Sequence, residues 1–129
     1  MAAPAGLHLL LVDDEREFAQ TLAARLRLRG VNTRVAFDGE EALASLRQGE
    51  FDLVLLDVGL PGMSGLDVLR RIREDRPGLP VALLTGNAGA KDAEEGLTQG
   101  ALAYLTKPLA LEELLALLAR LGTRKGSTL

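Results

Sequence analysis

The stretch Leu53-Val54-Leu55-Leu56 is apolar at every position and ends on Asp57, after which Gly59-Leu60-Pro61-Gly62 breaks the chain. A run of strand length that is uniformly apolar is buried on both faces, and burial on both faces belongs to parallel sheets covered by helices. Pro61 and Gly62 cannot continue a central strand, so Asp57 is delivered to the carboxyl edge of the sheet. Open α/β sheets carry their chemistry at that edge. Taken alone, a carboxylate there is a cap of the next turn, a metal ligand or a nucleophile, and the cap is the simplest of the three because Asp is a common turn residue.

The rest of the chain repeats the alternation. Residues 7–12 are a second apolar run, followed by Asp13-Asp14-Glu15 and then by Phe18, Leu22 and Leu26 at helical spacing up to Gly30. A strand over residues 33–37 leads through Asp38-Gly39 into a helix bearing Ala42, Leu43 and Leu46 and closing near Gly49. After the central strand, Ser64-Gly65 opens a third helix with Leu66, Val68, Leu69 and Ile72, stopped by Pro77-Gly78. Residues 80–85 form the fourth strand, ending in Thr85. The helix after it, over residues 91–99, is expected to be the least stable element: Gly96 lies inside it, and its apolar side is little more than Ala93 and Leu97. A fifth strand over residues 101–106 ends at Lys107-Pro108. Leu111, Leu114, Leu115, Leu118 and Leu121 then mark a last helix ending at Gly122, with Leu117 off that stripe, on a wide core face or a partner surface. Five strands alternating with five helices predict a three-layer α/β sandwich around a five-stranded parallel sheet with right-handed crossovers. The domain is expected over residues 1–121, with 122–129 a tail or the start of a linker.

At 129 residues, one domain buries roughly two thirds of the surface its unfolded chain exposes, so no disulfide or structural metal is required. Cysteine is absent, which excludes thiol catalysis and thiolate zinc sites. The net charge of −3, with Arg and Glu interspersed, gives no basic stripe, and this segment is not expected to bind nucleic acid directly. The first residues carry no cationic region, and the apolar run that follows is too short for a signal peptide or a membrane span, so a cytoplasmic protein without membrane contact is expected.

Aligning the strand ends brings Asp13 and Asp14 from the first strand, Asp57 from the third, Thr85 from the fourth and Lys107 from the fifth to one rim. Three carboxylates there repel one another unless a cation joins them. Oxygen ligands without Cys or a nearby His point to magnesium or manganese. Lys107 adds a positive charge and Thr85 a hydroxyl donor, a set suited to phosphoryl transfer onto a carboxylate. Asp57 is then the natural acceptor, and Asp13 and Asp14 hold the metal.

With these residues in this order, the chain resembles the receiver domain of two-component response regulators from about residue 7 to residue 121. The motifs are Val12-Asp13-Asp14-Glu15, Phe37-Asp38-Gly39-Glu40-Glu41-Ala42-Leu43, Leu56-Asp57-Val58-Gly59-Leu60-Pro61-Gly62-Met63-Ser64-Gly65, Leu84-Thr85-Gly86 and Tyr104-Leu105-Thr106-Lys107-Pro108. The resemblance implies a flavodoxin-like strand order 2-1-3-4-5 and a phosphoacceptor signalling module. Asp57 would receive its phosphoryl group from a sensor histidine kinase or phosphotransfer protein. The metal would be held by Asp13, Asp14, Asp57 and the backbone carbonyl of Gly59. It further implies that Thr85 and Tyr104 are switch residues, that Lys107 pairs with the phosphoryl group, and that the Lys107-Pro108 peptide is cis. The partners implied are a downstream protein or fused output domain, and a homodimer through the face of the fourth and fifth helices and fifth strand. Enzymatic activity would be limited to self-phosphorylation and slow self-dephosphorylation.

The chain departs from the pattern at Leu102-Ala103, where many receivers carry acids, and the surface there is more apolar. Gly59 and Asn87 flank positions where the family tunes phosphoryl lifetime. Tyr104 is read as a switch in preference to a plain core aromatic, and His8, at the far end of its strand from the rim, is assigned no chemistry. Two alternatives remain in view. One is a receiver-like scaffold working without phosphorylation. The other is an aspartate-nucleophile phosphohydrolase, which usually carries two aspartates one residue apart after a strand, whereas Val58-Gly59 follows Asp57. A dinucleotide site lacks its glycine-rich loop, because Asp13-Asp14-Glu15 occupies that place.

Overall fold

The computed structural model describes residues 6–86 and 90–126. Its elements are β1 (His8–Val12), α1 (Arg16–Leu28), β2 (Asn32–Ala36), α2 (Gly39–Gln48), β3 (Leu53–Asp57), α3 (Gly65–Asp75), β4 (Val81–Thr85), α4 (Ala90–Thr98), β5 (Ala103–Thr106) and α5 (Leu111–Gly126). All four strand pairings are parallel, in the order β2-β1-β3-β4-β5. The architecture is the expected one.

Successive side chains of a strand point to opposite faces, so each apolar run feeds two cores. Leu9, Leu11, Leu53, Leu55, Ala82, Leu84 and Leu105 pack under α1 and α5. Leu10, Val12, Val54, Leu56, Val81 and Leu83 pack under α2 and α3. Local caps start the helices where the sequence places them: Asp38 accepts from the Glu41 amide at 2.8 Å, and Ser64 accepts from the Asp67 amide at 3.2 Å.

Three expectations are corrected, and the open reading of Leu117 is resolved. The last helix continues past Gly122 to Gly126, because one helical glycine costs only about 1 kcal/mol and Thr123, Arg124 and Lys125 all tolerate helix. The fifth strand begins at Ala103 and not at 101; Leu102 lies outside it with 41% of its surface exposed. Leu117 is buried among the α1 and α5 contacts, so the last helix has a wide core face and not a partner surface at that position. In α4 the buried pair is Ala93 and Gly96, while Leu97 points outward. A Cβ on Gly96 would overlap Leu83 Cδ1, so the glycine is what lets α4 lie close on β4. Asn87 and residues 127–129 lie outside the described residues.

Candidate functional site

Strand alternation places the charged groups before any side chain is considered. Asp13 follows Leu9 and Leu11, Asp57 follows Leu53 and Leu55, and Lys107 follows Leu105, so all three continue the face under α1 and α5. Thr85 has the parity of Leu83 and lies on the other face. The ladder runs on past the strand ends: Asp13 N–H donates to Ala36 O at 3.0 Å, Val58 N–H to Leu84 O at 3.1 Å and Lys107 N–H to Thr85 O at 2.8 Å. The rim is therefore held by backbone hydrogen bonds. Lys107-Pro108 is cis, as expected.

Asp13 and Asp57 are buried, Asp14 is exposed, and each offers an oxygen within 4.8 Å of the others. Asp57 Oδ1 accepts from the Gly59 amide at 2.9 Å, and Oδ2 lies 3.4 Å from Lys107 Nζ. The turn-cap reading of Asp57 is thus correct for one oxygen and leaves the other facing the cluster. Asp13 Oδ1 accepts from the Glu15 amide at 2.9 Å. Its Oδ2 lies 3.0 Å from the Lys107 ammonium, close enough for an ion pair but without hydrogen-bond geometry, so this buried oxygen has no hydrogen-bond donor among the described residues. Burial raises the Asp13 pKa and the Asp57 charge adds to it, against the Glu15 amide and Lys107. Burial by itself would lower the pKa of Lys107, but the Glu15, Asp13 and Asp57 carboxylates outweigh it and hold the ammonium protonated well above its ordinary range.

An all-oxygen cluster with a buried, undersatisfied carboxylate oxygen fits a hard divalent cation. Thr85 is buried at the end of β4, beside the rim. Tyr104 is 46% exposed, which rules out the core-aromatic reading of that residue. His8 is exposed at the opposite end of β1, its amide donating to Asp52 Oδ2 at 2.8 Å.

Two participants were not among the expected site residues. Glu15 contacts the Lys107 ammonium, and the only signal for it was its place as the third acid after β1. Gly65 was read only as the start of a helix. A Cβ there would overlap the Asp57 carbonyl oxygen and crowd Val58 Cα, so its lack of a side chain lets α3 approach the residue that carries the acceptor carboxylate.

A doubly wound parallel sheet with three acids and a lysine on its carboxyl rim is a receiver-type signalling fold. Residues 9–119 match the response regulator receiver domain, and the chain belongs to that family, the receiver domains of two-component response regulators. The probable transcriptional regulatory protein TcrX of Mycobacterium tuberculosis is 46% identical over 120 residues, covering 93% of this chain and 51% of TcrX. The uncharacterized transcriptional regulatory protein YkoG of Bacillus subtilis is 45% identical over 109 residues, covering 84% of this chain and 48% of YkoG. The chain thus spans about half the length of the curated relatives it matches. Among solved structures, the Francisella response regulator 1452 receiver domain superposes with a TM-score of 0.85 at 31% identity, covering 93% of this chain and 99% of that one. A receiver domain from Clostridium thermocellum gives a TM-score of 0.88 at 28% identity, covering 95% of this chain and 99% of that one. No helix among the described residues is long and apolar enough to cross a membrane.

Proposed function

We propose that the domain is a phosphoacceptor module in which Asp57 takes a phosphoryl group from a partner histidine kinase or phosphotransfer protein. The observation that carries the reading is the convergence of Asp57 with Asp13, Asp14 and Lys107 at one rim. An oxygen of Asp57 bonds to phosphorus as the P–N bond of the donor phosphohistidine breaks, and the imidazole nitrogen keeps the electron pair and later takes a proton. Asp13, Asp14, Asp57 and the Gly59 carbonyl would hold Mg2+, or Mn2+ in its place, and the ion when bound neutralises charge on the transferring oxygens. Lys107 pairs with the phosphoryl group, and the Thr85 hydroxyl donates to it. The same residues support self-phosphorylation from a small acyl phosphate and slow self-hydrolysis.

Phosphorylation adds about two negative charges beside β4 and β5. Thr85 moves toward them, Tyr104 changes rotamer, and α4 with its glycine contact to β4 shifts in population toward an active arrangement. The face formed by α4, β5 and α5 exposes Leu97, Leu102 and Tyr104, which supports docking of a second copy there. A downstream protein or fused output domain reads the change. We place the protein in the cytoplasm with its kinase's catalytic portion and assign this segment no direct nucleic-acid contact.

Intact mass after incubation with acetyl phosphate tests the reading. One added phosphoryl group that requires magnesium and is absent from Asp57→Asn is expected. Uptake that persists in Asp57→Asn would remove Asp57 from the acceptor role. Failure of wild type to form either the adduct or a beryllofluoride complex would favour the phosphorylation-independent scaffold.

A further inference from the structure

Besides Asp13 and Asp57, the Lys107 ammonium contacts the Glu15 carboxylate and lies 5.0 Å from the centroid of the Phe18 ring. Glu15 is the N-cap residue of α1, and Phe18 sits in its first turn. The Glu15 side chain is 61% exposed, whereas Asp13 and Asp57 are buried. At its single position the ammonium therefore touches two sets of partners. The outer set, toward solvent, is Glu15 and the face of Phe18. The inner set is Asp13 Oδ2 and Asp57 Oδ2, at 3.0 and 3.4 Å. Asp13 and Asp57 also belong to the oxygen cluster that could hold a cation. An ammonium and a divalent cation repel, so an ammonium held against the inner set opposes metal binding.

We propose that Glu15 is a positioning residue: its carboxylate, with the Phe18 ring beside it, gives Lys107 a berth outside the carboxylate cluster and so eases entry of Mg2+ to Asp13 and Asp57. The inference rests on the magnesium reading above. Without the Glu15 charge, Asp13 and Asp57 are the carboxylate partners left to Lys107 among the described residues, and an incoming cation must displace it from both. The Glu15 amide donates to Asp13 Oδ1 at 2.9 Å whatever its side chain, so Glu15→Gln preserves the turn while removing the berth.

Calorimetric titration with magnesium chloride of wild type, Glu15→Gln, Lys107→Met and the double variant separates the possibilities. Because the Glu15–Lys107 pair is partly solvent-screened, Glu15→Gln is expected to weaken magnesium binding up to about fivefold. In the Lys107→Met background the same substitution should matter by less than about twofold, since the two residues act as one unit. Losses of equal size in both backgrounds would overturn the proposal, because Glu15 would then act on the cation directly. Unchanged or tighter binding by Glu15→Gln would overturn it too. A second readout is the Lys107 side-chain NMR signal of the metal-free protein, which should move in Glu15→Gln; an unmoved signal contradicts the berth. Wild type that takes up no magnesium would overturn the metal reading itself, and this inference with it, in the first titration and before any variant is compared.

Discussion

The ammonium of Lys107 lies 3.4 Å from Asp57 Oδ2, although the strands that end at the two residues are separated by β4. The lysine reaches across because both residues continue the same sheet face, and it stands against a cluster that is one-sidedly acidic. Removing it leaves two buried carboxylates without their countercharge. Lys107→Met should lower stability in metal-free buffer by about 1–3 kcal/mol, read from urea midpoints. Magnesium should recover more of that loss in the variant than it adds to wild type. An unchanged midpoint would mean that Glu15 takes most of the lysine's charge.

Asp13→Asn should act in the opposite direction. Burial holds the Asp13 pKa above the ordinary 3.8. A folded pKa above the unfolded one means that the folded protein binds the proton more tightly, so stability falls as pH rises through the window between them, and the penalty is complete above it. The variant lacks that penalty. In metal-free buffer near neutral pH it should melt higher by about 3–5 °C, a gain on the order of 1 kcal/mol. The advantage should shrink on acidification toward the ordinary carboxylate value, and magnesium should stabilise wild type more than the variant. A lower melting temperature at neutral pH would contradict a net penalty for burying the charged Asp13.

Gly65→Ala tests how closely α3 abuts the acceptor. The added Cβ meets backbone, the Asp57 carbonyl and Val58 Cα, which cannot swing aside as a side chain can. A loss of about 2 kcal/mol or more is expected, with slower phosphoryl uptake in whatever folds. Asp57→Asn, by contrast, should leave the far-ultraviolet circular dichroism spectrum unchanged. A fully stable Gly65→Ala would show that the loop between β3 and α3 yields easily.

Gly96→Ala would gain about 1 kcal/mol on an open helix. Here the methyl group overlaps Leu83 Cδ1, which is fully buried, so the net effect should be a lower melting temperature and faster amide exchange in α4. A higher melting temperature would show that α4 rides over β4 without close contact.

The sheet was legible because each buried parallel strand is a plain apolar run, and the rim was legible because each run ends in a polar residue. Asp13, Asp57 and Lys107 even share a face by simple alternation along their strands. What the sequence does not carry is the meeting of side chains across strands. The Glu15–Lys107 contact depends on the path of a long lysine over the rim and on the entry angle of α1. Gly96 reads as a weakness in a helix until Leu83 is seen beneath it, and the exposure of Tyr104, which only disfavours the core reading in the sequence, is plain once its side chain is seen outward on the edge strand β5. The end of α5 was missed because Gly122 is a stop signal only when the chain turns away after it.

On the function proposed above, Asp57 and not a neighbouring acid carries the phosphoryl group. Borohydride reduces an acyl phosphate to an alcohol, so trapping after acetyl phosphate treatment, followed by peptide sequencing in the mass spectrometer, reads the acceptor directly. Homoserine at position 57 alone, dependent on magnesium, is the predicted result. Homoserine at 13 or 14, or an adduct that reduces nowhere on the rim, would contradict the account.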